Sequence, residues 1–270
     1  MLKPFTYAIG TFIGIGVLVL PFLFQEVGVI LATFGLLAAA FLLLLLGFIV
    51  FDLVGKTKKD LPSSVEEFLT WSKPLVRVSL AVFTYGALVA YVMGAGQQLF
   101  ALFGGQIQYW GTLFFVLAAW PVIQNSHIFD RVAIYLSLAL LFVIALLVPF
   151  NMAALNVSVP AFGSWAAFPF LLSVSIFALF GHPSIYEITK MRKKESEARY
   201  NFFGAFFVAL LVYLAYAITS VSVGPMSDLS TVSLLFYHSS GIGYVISLVA
   251  ILAFYTSFVN ISEAFMNSIK

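Results

Sequence analysis

The chain of 270 residues is 62% apolar and only 9% charged, with a formal net charge of +2 and a mean hydropathy of +1.08. A soluble domain cannot bury this share of hydrocarbon, so the composition excludes a water-soluble enzyme and predicts an all-α protein that crosses a lipid bilayer several times. Cysteine is absent, which excludes disulfides and thiolate chemistry.

Eight apolar stretches are predicted to cross the membrane, because each crossing needs about 20 apolar residues. In chain order they cover residues 5–25, 27–51, 75–103, 108–124, 129–150, 165–187, 201–223 and 241–267. The short apolar run 232–237 is predicted to be an extracellular loop helix. Residues 1–270 are therefore expected to form one membrane domain, with five helices in residues 1–150 and three in residues 165–270.

The basic residues predict how these helices are oriented. With the N-terminus inside, all 13 Lys and Arg residues fall at cytoplasmic helix ends or in the loops around 52–74, 125–131 and 188–200. Lys and Arg are absent from the opposite loops, which cover 104–107, 151–164 and 224–240. This asymmetry follows the positive-inside rule for a cytoplasmic membrane and predicts that both termini lie in the cytoplasm.

The first span is predicted to be interrupted, because it contains Gly10, Gly14, Gly16 and Pro21. We expect the helix to open near Gly14 to Gly16, with Ile13 and Ile15 at the opening. Freed backbone groups are tolerated at this depth only where they line a cavity or are buried in protein, and N–H groups at the start of a half-helix suit a carboxylate. The alternative is a packing face in which the glycines let another helix approach.

The sixth span contains a second interruption, at Phe177-Ala178-Leu179-Phe180-Gly181-His182-Pro183. Spans one and six correspond in a repeat of five helices, and paired interruptions of this kind indicate a transporter binding site near the midplane. His182 is the only histidine inside a predicted span. Two interpretations of it stay open: a proton-coupling site, or a neutral imidazole that satisfies carbonyls freed by Gly181 and Pro183.

Two further spans contribute candidate residues. Tyr85 and Tyr91 of the third span are predicted to form a cavity wall. Thr256 and Ser257 of the eighth span offer hydroxyl oxygens as ligands for a small cation, although back-bonding within their own helix is equally consistent with the sequence. We find no metal-ligand spacing, phosphate loop or catalytic triad, so we expect neither an enzyme nor a cofactor, and no nucleic-acid partner.

The run Gly10-Thr-Phe-Ile-Gly-Ile-Gly-Val-Leu-Val-Leu-Pro21 resembles the first-helix signature of the amino acid/auxin permease superfamily, a branch of the APC superfamily. Phe180-Gly-His-Pro-Ser-Ile185 is similar to its Gly-His motif, and Thr256-Ser257 resembles the polar pair of its eighth helix. Within the superfamily, the sequence most resembles prokaryotic tryptophan/tyrosine-type permeases.

The resemblance implies a LeuT-like fold of inverted five-helix repeats. It implies that the substrate α-carboxylate binds amides around Gly14 to Gly16 and that the α-amino group meets first-helix carbonyls and those near Phe177 to Phe180. A cation would lie between Gly10, Ile13, Thr256 and Ser257. The expected function is secondary transport of neutral, apolar or aromatic amino acids, driven by sodium or protons.

Two features bear on this expectation. Proton-coupled relatives can place a lysine in helix five. The fifth span has no basic side chain beyond Arg131 at its end, which favours sodium as the coupling ion, while His182 leaves proton coupling as the alternative.

Such permeases usually have ten or more helices, so a second repeat of three helices suggests either a truncated chain or a short form completed by homodimerisation. A receptor-like protein that binds an amino acid without moving it is the alternative function.

Overall fold

A computed structural model describes residues 2–14, 16–124, 135–139, 141–146, 148–149, 160–192, 194–221 and 242–269. The described residues are mostly helical and contain no β-strand. This confirms the predicted all-α architecture of a polytopic membrane protein. Ile15, Arg131, the histidines at 127 and 238 and the predicted loop helix at 232–237 lie outside the described residues.

We number the helices in chain order. They are α1 Leu2–Phe12, α2 Gly16–Val27, α3 Val29–Thr57, α4 Leu61–Glu66, α5 Ser72–Phe103, α6 Ile107–Gln124, α7 Tyr135–Leu146, α8 Phe168–Leu179, α9 Ile185–Lys190, α10 Glu195–Val221 and α11 Ile242–Ile269. A short 3-10 helix, Trp165–Ala167, precedes α8, and a second, His182–Ser184, joins α8 to α9.

Five described segments are long and apolar enough to cross a membrane: Val29–Thr57, Ser72–Phe103, Trp165–Lys190, Glu195–Val221 and Ser247–Met266. The first predicted span does not meet this length because its helix is divided into α1 and α2. Large apolar side chains face outward from these segments, and Phe34 on α3 is 67% exposed. Such a surface is stable in hydrocarbon, whereas in water the hydrophobic effect would favour burying it.

The interrupted helices lie at the centre of the packing. Helix α1 packs against α10 and α11, and α2 packs against α8 and α10. Helix α3 packs along α8, while α5 packs against α6 and α11. The main hydrophobic core surrounds the α1–α2 junction, so the point at which the first span opens is enclosed by protein rather than by lipid.

A short backbone pairing joins the α2–α3 corner to the segment that leads into α8. The amides of Val29 and Ile30 donate to the carbonyls of Pro160 and Ala161, at 3.1 Å each. In the opposite direction, the amide of Gly163 donates to Val27 O at 2.8 Å. Gly28 lies between these bonds with φ of 87°, a conformation that favours glycine.

We expect Gly28→Ala to lower the unfolding free energy by about 3 kcal/mol, which combines left-handed strain with overlap against fixed backbone. A Cβ at Gly28 would lie 2.7 Å from Phe162 Cα and from Gly163 N. Gly104→Ala is the matched control, because Gly104 also has a positive φ, of 72°, but a Cβ there would meet nothing within 4 Å. Thermal unfolding in detergent measures both variants, and equal losses of stability would contradict the overlap.

Candidate functional site

The first span opens at the predicted glycines. Helix α1 ends at Phe12 and α2 begins at Gly16, with Ile13 and Gly14 in a bend between them. The amide of Ile13 still donates to Ile9 O at 2.9 Å, so regular α-helical bonding stops directly after it. Pro21 lies inside α2, five residues beyond its start, and not at the opening itself.

The sixth span opens in the same manner. Helix α8 ends at Leu179, and the backbone of Phe180 leaves the helix with ψ of 80°. The carbonyl of Gly181 accepts bonds from the amide of Ser184 at 3.0 Å and from the Ser184 hydroxyl at 2.6 Å. The 3-10 turn at His182–Ser184 then leads into α9.

The two openings face each other. A Cβ built on Gly181 would overlap the ring of Phe12, the last residue of α1. A Cβ on Gly16 would lie 2.6 Å from the Cβ of Ala178 on α8. Both glycines are therefore required for the close approach of the two openings. Gly16, Ala178 and Gly181 of the predicted site meet at one place, next to Phe12.

Ser257 on α11 reaches the end of α1. Its hydroxyl oxygen lies 2.9 Å from Gly10 O and 3.1 Å from Ile13 O, and donates toward both carbonyls. Thr256 instead donates to Ala253 O of its own helix at 3.1 Å, which is the back-bonding alternative. Of the predicted pair, Ser257 is thus the residue that joins α11 to the opening.

The oxygens of Gly10, Ile13 and Ser257 form a set of two carbonyls and one hydroxyl. Such neutral oxygens suit hard cations, and opened helices use carbonyls of this kind to coordinate sodium. Among the described residues, no group of three or more His, Asp or Glu side chains could hold a metal ion. A set of three neutral oxygens fits a small monovalent cation.

Two side chains absent from the sequence-based site lie beside this oxygen set. A Cβ on Gly10 would lie 2.5 Å from Ser137 Oγ of α7 and 2.7 Å from Asn260 Nδ2 of α11. Asn260 Nδ2 donates to Tyr7 O at 3.2 Å, and the Tyr7 hydroxyl donates to Asn260 O at 3.3 Å. Asn260 could have been found from its spacing, since it lies one helical turn beyond Ser257 in an apolar span.

The third span contributes one of its two predicted tyrosines. The Tyr91 hydroxyl would lie 3.2 Å from a Cβ on Gly14, and the Tyr91 ring stands 6.3 Å from the ring of Phe177. Tyr85 is 73% exposed and is not brought to this cluster. Six residues separate the two tyrosines, which places Tyr85 about 240° around α5 from Tyr91.

His182 is buried, with 1% of its surface exposed, and its Nε2 lies 2.8 Å from Leu43 O on α3. A carbonyl only accepts, so Nε2 carries the hydrogen, and in the neutral imidazole Nδ1 is then an acceptor. Nδ1 is buried and has no hydrogen-bond partner among the described residues. His182 therefore ties the α8–α9 opening to α3, rather than satisfying the carbonyls of its own opening as one sequence interpretation held.

Tyr213 on α10 is the main residue that the sequence did not indicate. Its hydroxyl donates to Phe12 O at 2.5 Å and accepts from the Gly14 amide at 3.3 Å. It thereby bridges the two sides of the first opening. A buried tyrosine hydroxyl needs a partner, but its position in the seventh span does not tell which one.

Two helices that open opposite each other, enclosed in a helical membrane protein, define the class of membrane transporters with discontinuous helices. The chain belongs to the tryptophan/tyrosine permease family, whose family model matches residues 2–270. This confirms the resemblance carried by the three motifs. No curated protein sequence matches the chain.

Family membership makes the chain an integral membrane permease for amino acids. It is a transporter rather than an enzyme, and its partners are a small amino acid and the lipid bilayer.

Proposed function

We propose that the protein is a sodium-coupled transporter that carries a neutral aromatic amino acid across the cytoplasmic membrane by alternating access. The observation that carries this proposal is the junction of Gly10, Ile13 and Ser257, where α11 meets the opening of the first span through three neutral oxygens. A cation bound there would hold α1 against α11 and couple its occupancy to the shape of the opening.

The amino acid would bind at the two openings. The start of α2 offers backbone amides and the positive end of a helix dipole, both of which attract a carboxylate, around Gly14 to Gly16. Carbonyls at the end of α1 and near Phe177 to Phe180 at the end of α8 would accept from the substrate ammonium group. This places the charged ends of the substrate on main-chain groups, which do not select its side chain.

The rings near the openings support an aromatic substrate side chain. Tyr91 lies 6.3 Å from Phe177 and 6.3 Å from Phe254, measured between ring centroids. Phe83 lies 4.6 Å from Phe180 on the same basis. Aromatic side chains prefer such surroundings because offset and edge-to-face ring contacts add to the gain from burial.

Sodium is proposed over protons because the predicted cation position is lined by oxygens and not by a basic side chain. The described part of α7, residues 135–139 and 141–146, contains no Lys, Arg or His. Proton coupling through His182 is the competing mechanism. Its buried, unpartnered Nδ1 is the observation in favour, but Nε2 is held by Leu43 O and the ring packs against Phe180 and Phe202.

We place both termini in the cytoplasm. Basic side chains from separate loops lie together at one end of the helices, where Lys58, Lys190 and Arg192 line a cleft of about 360 Å³. Arg199 at the start of α10 pairs at the same end with Asp52 of α3. Positive charge at this end supports the cytoplasmic assignment under the positive-inside rule.

The test is uptake in proteoliposomes. An inward sodium gradient is expected to drive accumulation of labelled L-tryptophan, L-tyrosine or L-phenylalanine, whereas an equal potassium gradient is not. Accumulation with a proton gradient alone, lost in His182→Gln, would replace sodium by protons as the coupling ion. Binding without accumulation under either gradient would overturn the transport proposal and support a receptor-like protein.

A further inference from the structure

Tyr213 occupies the first opening from the side of α10. Its side chain is buried, with 1% of its surface exposed. A Cβ on Gly16 would lie 3.0 Å from both Cζ and the hydroxyl oxygen of Tyr213, so the phenol packs directly on the first turn of α2. Neighbouring Phe12 is held in turn by edge-to-face contacts with Phe202 and Phe206 of α10.

The hydroxyl of Tyr213 makes one bond of each kind. It donates to the carbonyl of Phe12 and accepts from the amide of Gly14. An amino acid zwitterion brings the same two functions on separate groups, because its ammonium group donates and its carboxylate accepts. The phenol therefore satisfies one carbonyl and one amide of the very opening at which such a zwitterion would bind.

In an opening without a ligand, the phenol bonds to backbone groups that would otherwise have no partner. Buried N–H and C=O groups without partners are costly, and the bilayer core holds no water that could bond to them instead. Tyr213 supplies both partners from a single atom. A hydroxyl is neutral, so its bond to the amide is weaker than the charge-assisted bond that a carboxylate makes there.

We propose that Tyr213 is a placeholder for the substrate: it holds Phe12 O and Gly14 N–H while the site is empty and is displaced when an amino acid binds. This rests on the proposed function, because it assumes that the zwitterion binds at these groups. The phenol then competes with the substrate, which weakens binding and speeds release. A tyrosine that only braced the fold would stabilise the protein without affecting affinity.

Tyr213→Phe tests the proposal, since it removes one oxygen and keeps the ring. Its Kd for L-tryptophan, measured by calorimetry in detergent with sodium, is expected to be roughly 5- to 100-fold lower than that of the wild type, the effect of deleting two competing neutral hydrogen bonds. Tyr216→Phe is the matched control, because Tyr216 is buried one turn further along α10, and its Kd is expected to equal that of the wild type. An unchanged or higher Kd in Tyr213→Phe would overturn the placeholder.

Hydrogen exchange separates this proposal from the proposed function. Without ligand, Tyr213→Phe is expected to exchange the amide of Gly14 faster than the wild type and than Tyr216→Phe, because its acceptor is gone. Equal exchange in all three proteins would show that Tyr213 does not hold the empty opening, and would overturn the placeholder even if L-tryptophan binds. Absence of binding of any aromatic amino acid to the wild type, with faster exchange in the variant, would overturn the proposed function and with it the displacement of Tyr213 by substrate, while the bonds of Tyr213 in the empty opening would be confirmed.

Discussion

Ser257→Ala is expected to weaken the response of the protein to sodium strongly. In the wild type, the Ser257 hydroxyl lies 2.9 Å from Gly10 O and 3.1 Å from Ile13 O, so it is the one side-chain oxygen that completes this set. Alanine leaves the two carbonyls on α1 and removes the oxygen that α11 contributes to the set. Sodium would then bind without joining the two helices, and substrate binding would no longer depend on it.

The expected size is roughly 10- to 100-fold weaker sodium binding, the range for losing a polar partner of a charged group. The measurement is the unfolding midpoint in detergent as sodium replaces potassium, because a ligand that binds only the folded state raises the midpoint. Uptake of L-tryptophan under a sodium gradient is expected to fall in parallel.

Ser247→Ala is the matched control for this prediction. Ser247 lies on the same helix, is fully buried, and its hydroxyl has no hydrogen-bond partner among the described residues. Ten residues separate it from Ser257, which places it on a different face of α11. A normal sodium response in both serine variants would contradict the assignment of Ser257. If the wild type shows no response to sodium, the proposed sodium coupling is wrong.

Gly16→Ala is expected to reduce the transport rate strongly while leaving a folded protein. The added Cβ would lie 2.6 Å from Ala178 Cβ, and alanine has no rotamer by which to move aside. The start of α2 must therefore shift away from α8, and the backbone amides of the opening shift with it. A displacement of about 1 Å at a binding site is enough to cost roughly 100-fold in rate.

The same overlap is expected to lower the unfolding free energy by about 1–3 kcal/mol, the usual cost of overpacking a core. Gly86→Ala is the control, since Gly86 lies within α5 and a Cβ there would meet nothing within 4 Å. Alanine favours a helix over glycine by about 1 kcal/mol, so Gly86→Ala is expected to transport normally and to be slightly more stable. Equal uptake in the two variants would show that α2 and α8 do not need their close contact.

Gly14→Ala is a milder form of the same substitution. A Cβ there would lie 2.9 Å from Ser257 Oγ, the end of a side chain that can rotate, and 3.1 Å from Tyr91 Cε1, a contact that needs a shift of only a few tenths of an ångström. The clash at Gly14 can thus be relieved without moving a helix, whereas the clash at Gly16 cannot. The difference follows from what each glycine faces and not from the glycines themselves.

The family and the membrane architecture could be predicted from the sequence because both depend on local chemistry. An apolar run of about 20 residues has few alternatives to a membrane helix, whatever its neighbours. Gly14, Gly16 and Gly181 weaken the helix wherever they occur, so both openings were expected at the places where they are found. The motif around them carried the resemblance that the family match confirms.

The partners across the site could not be predicted in this way, because they depend on how each helix is rotated. Tyr85 and Tyr91 have the same side chain on the same helix, yet only Tyr91 reaches Gly14. Thr256 and Ser257 are adjacent, but their side chains point about 100° apart around α11. Ser257 therefore bonds to α1, whereas Thr256 bonds to its own helix.

The sequence alone thus determined the class of protein, its family and the two points at which helices open, since these follow from hydropathy, glycine and proline acting within a single segment. Only the tertiary structure decided that the openings touch, that His182 is held by Leu43, and that Tyr213 bridges Phe12 and Gly14. The Tyr213–Gly14 bond joins residues 199 positions apart. Contacts at such separation are set by the packing of whole helices, for which no single segment carries the information.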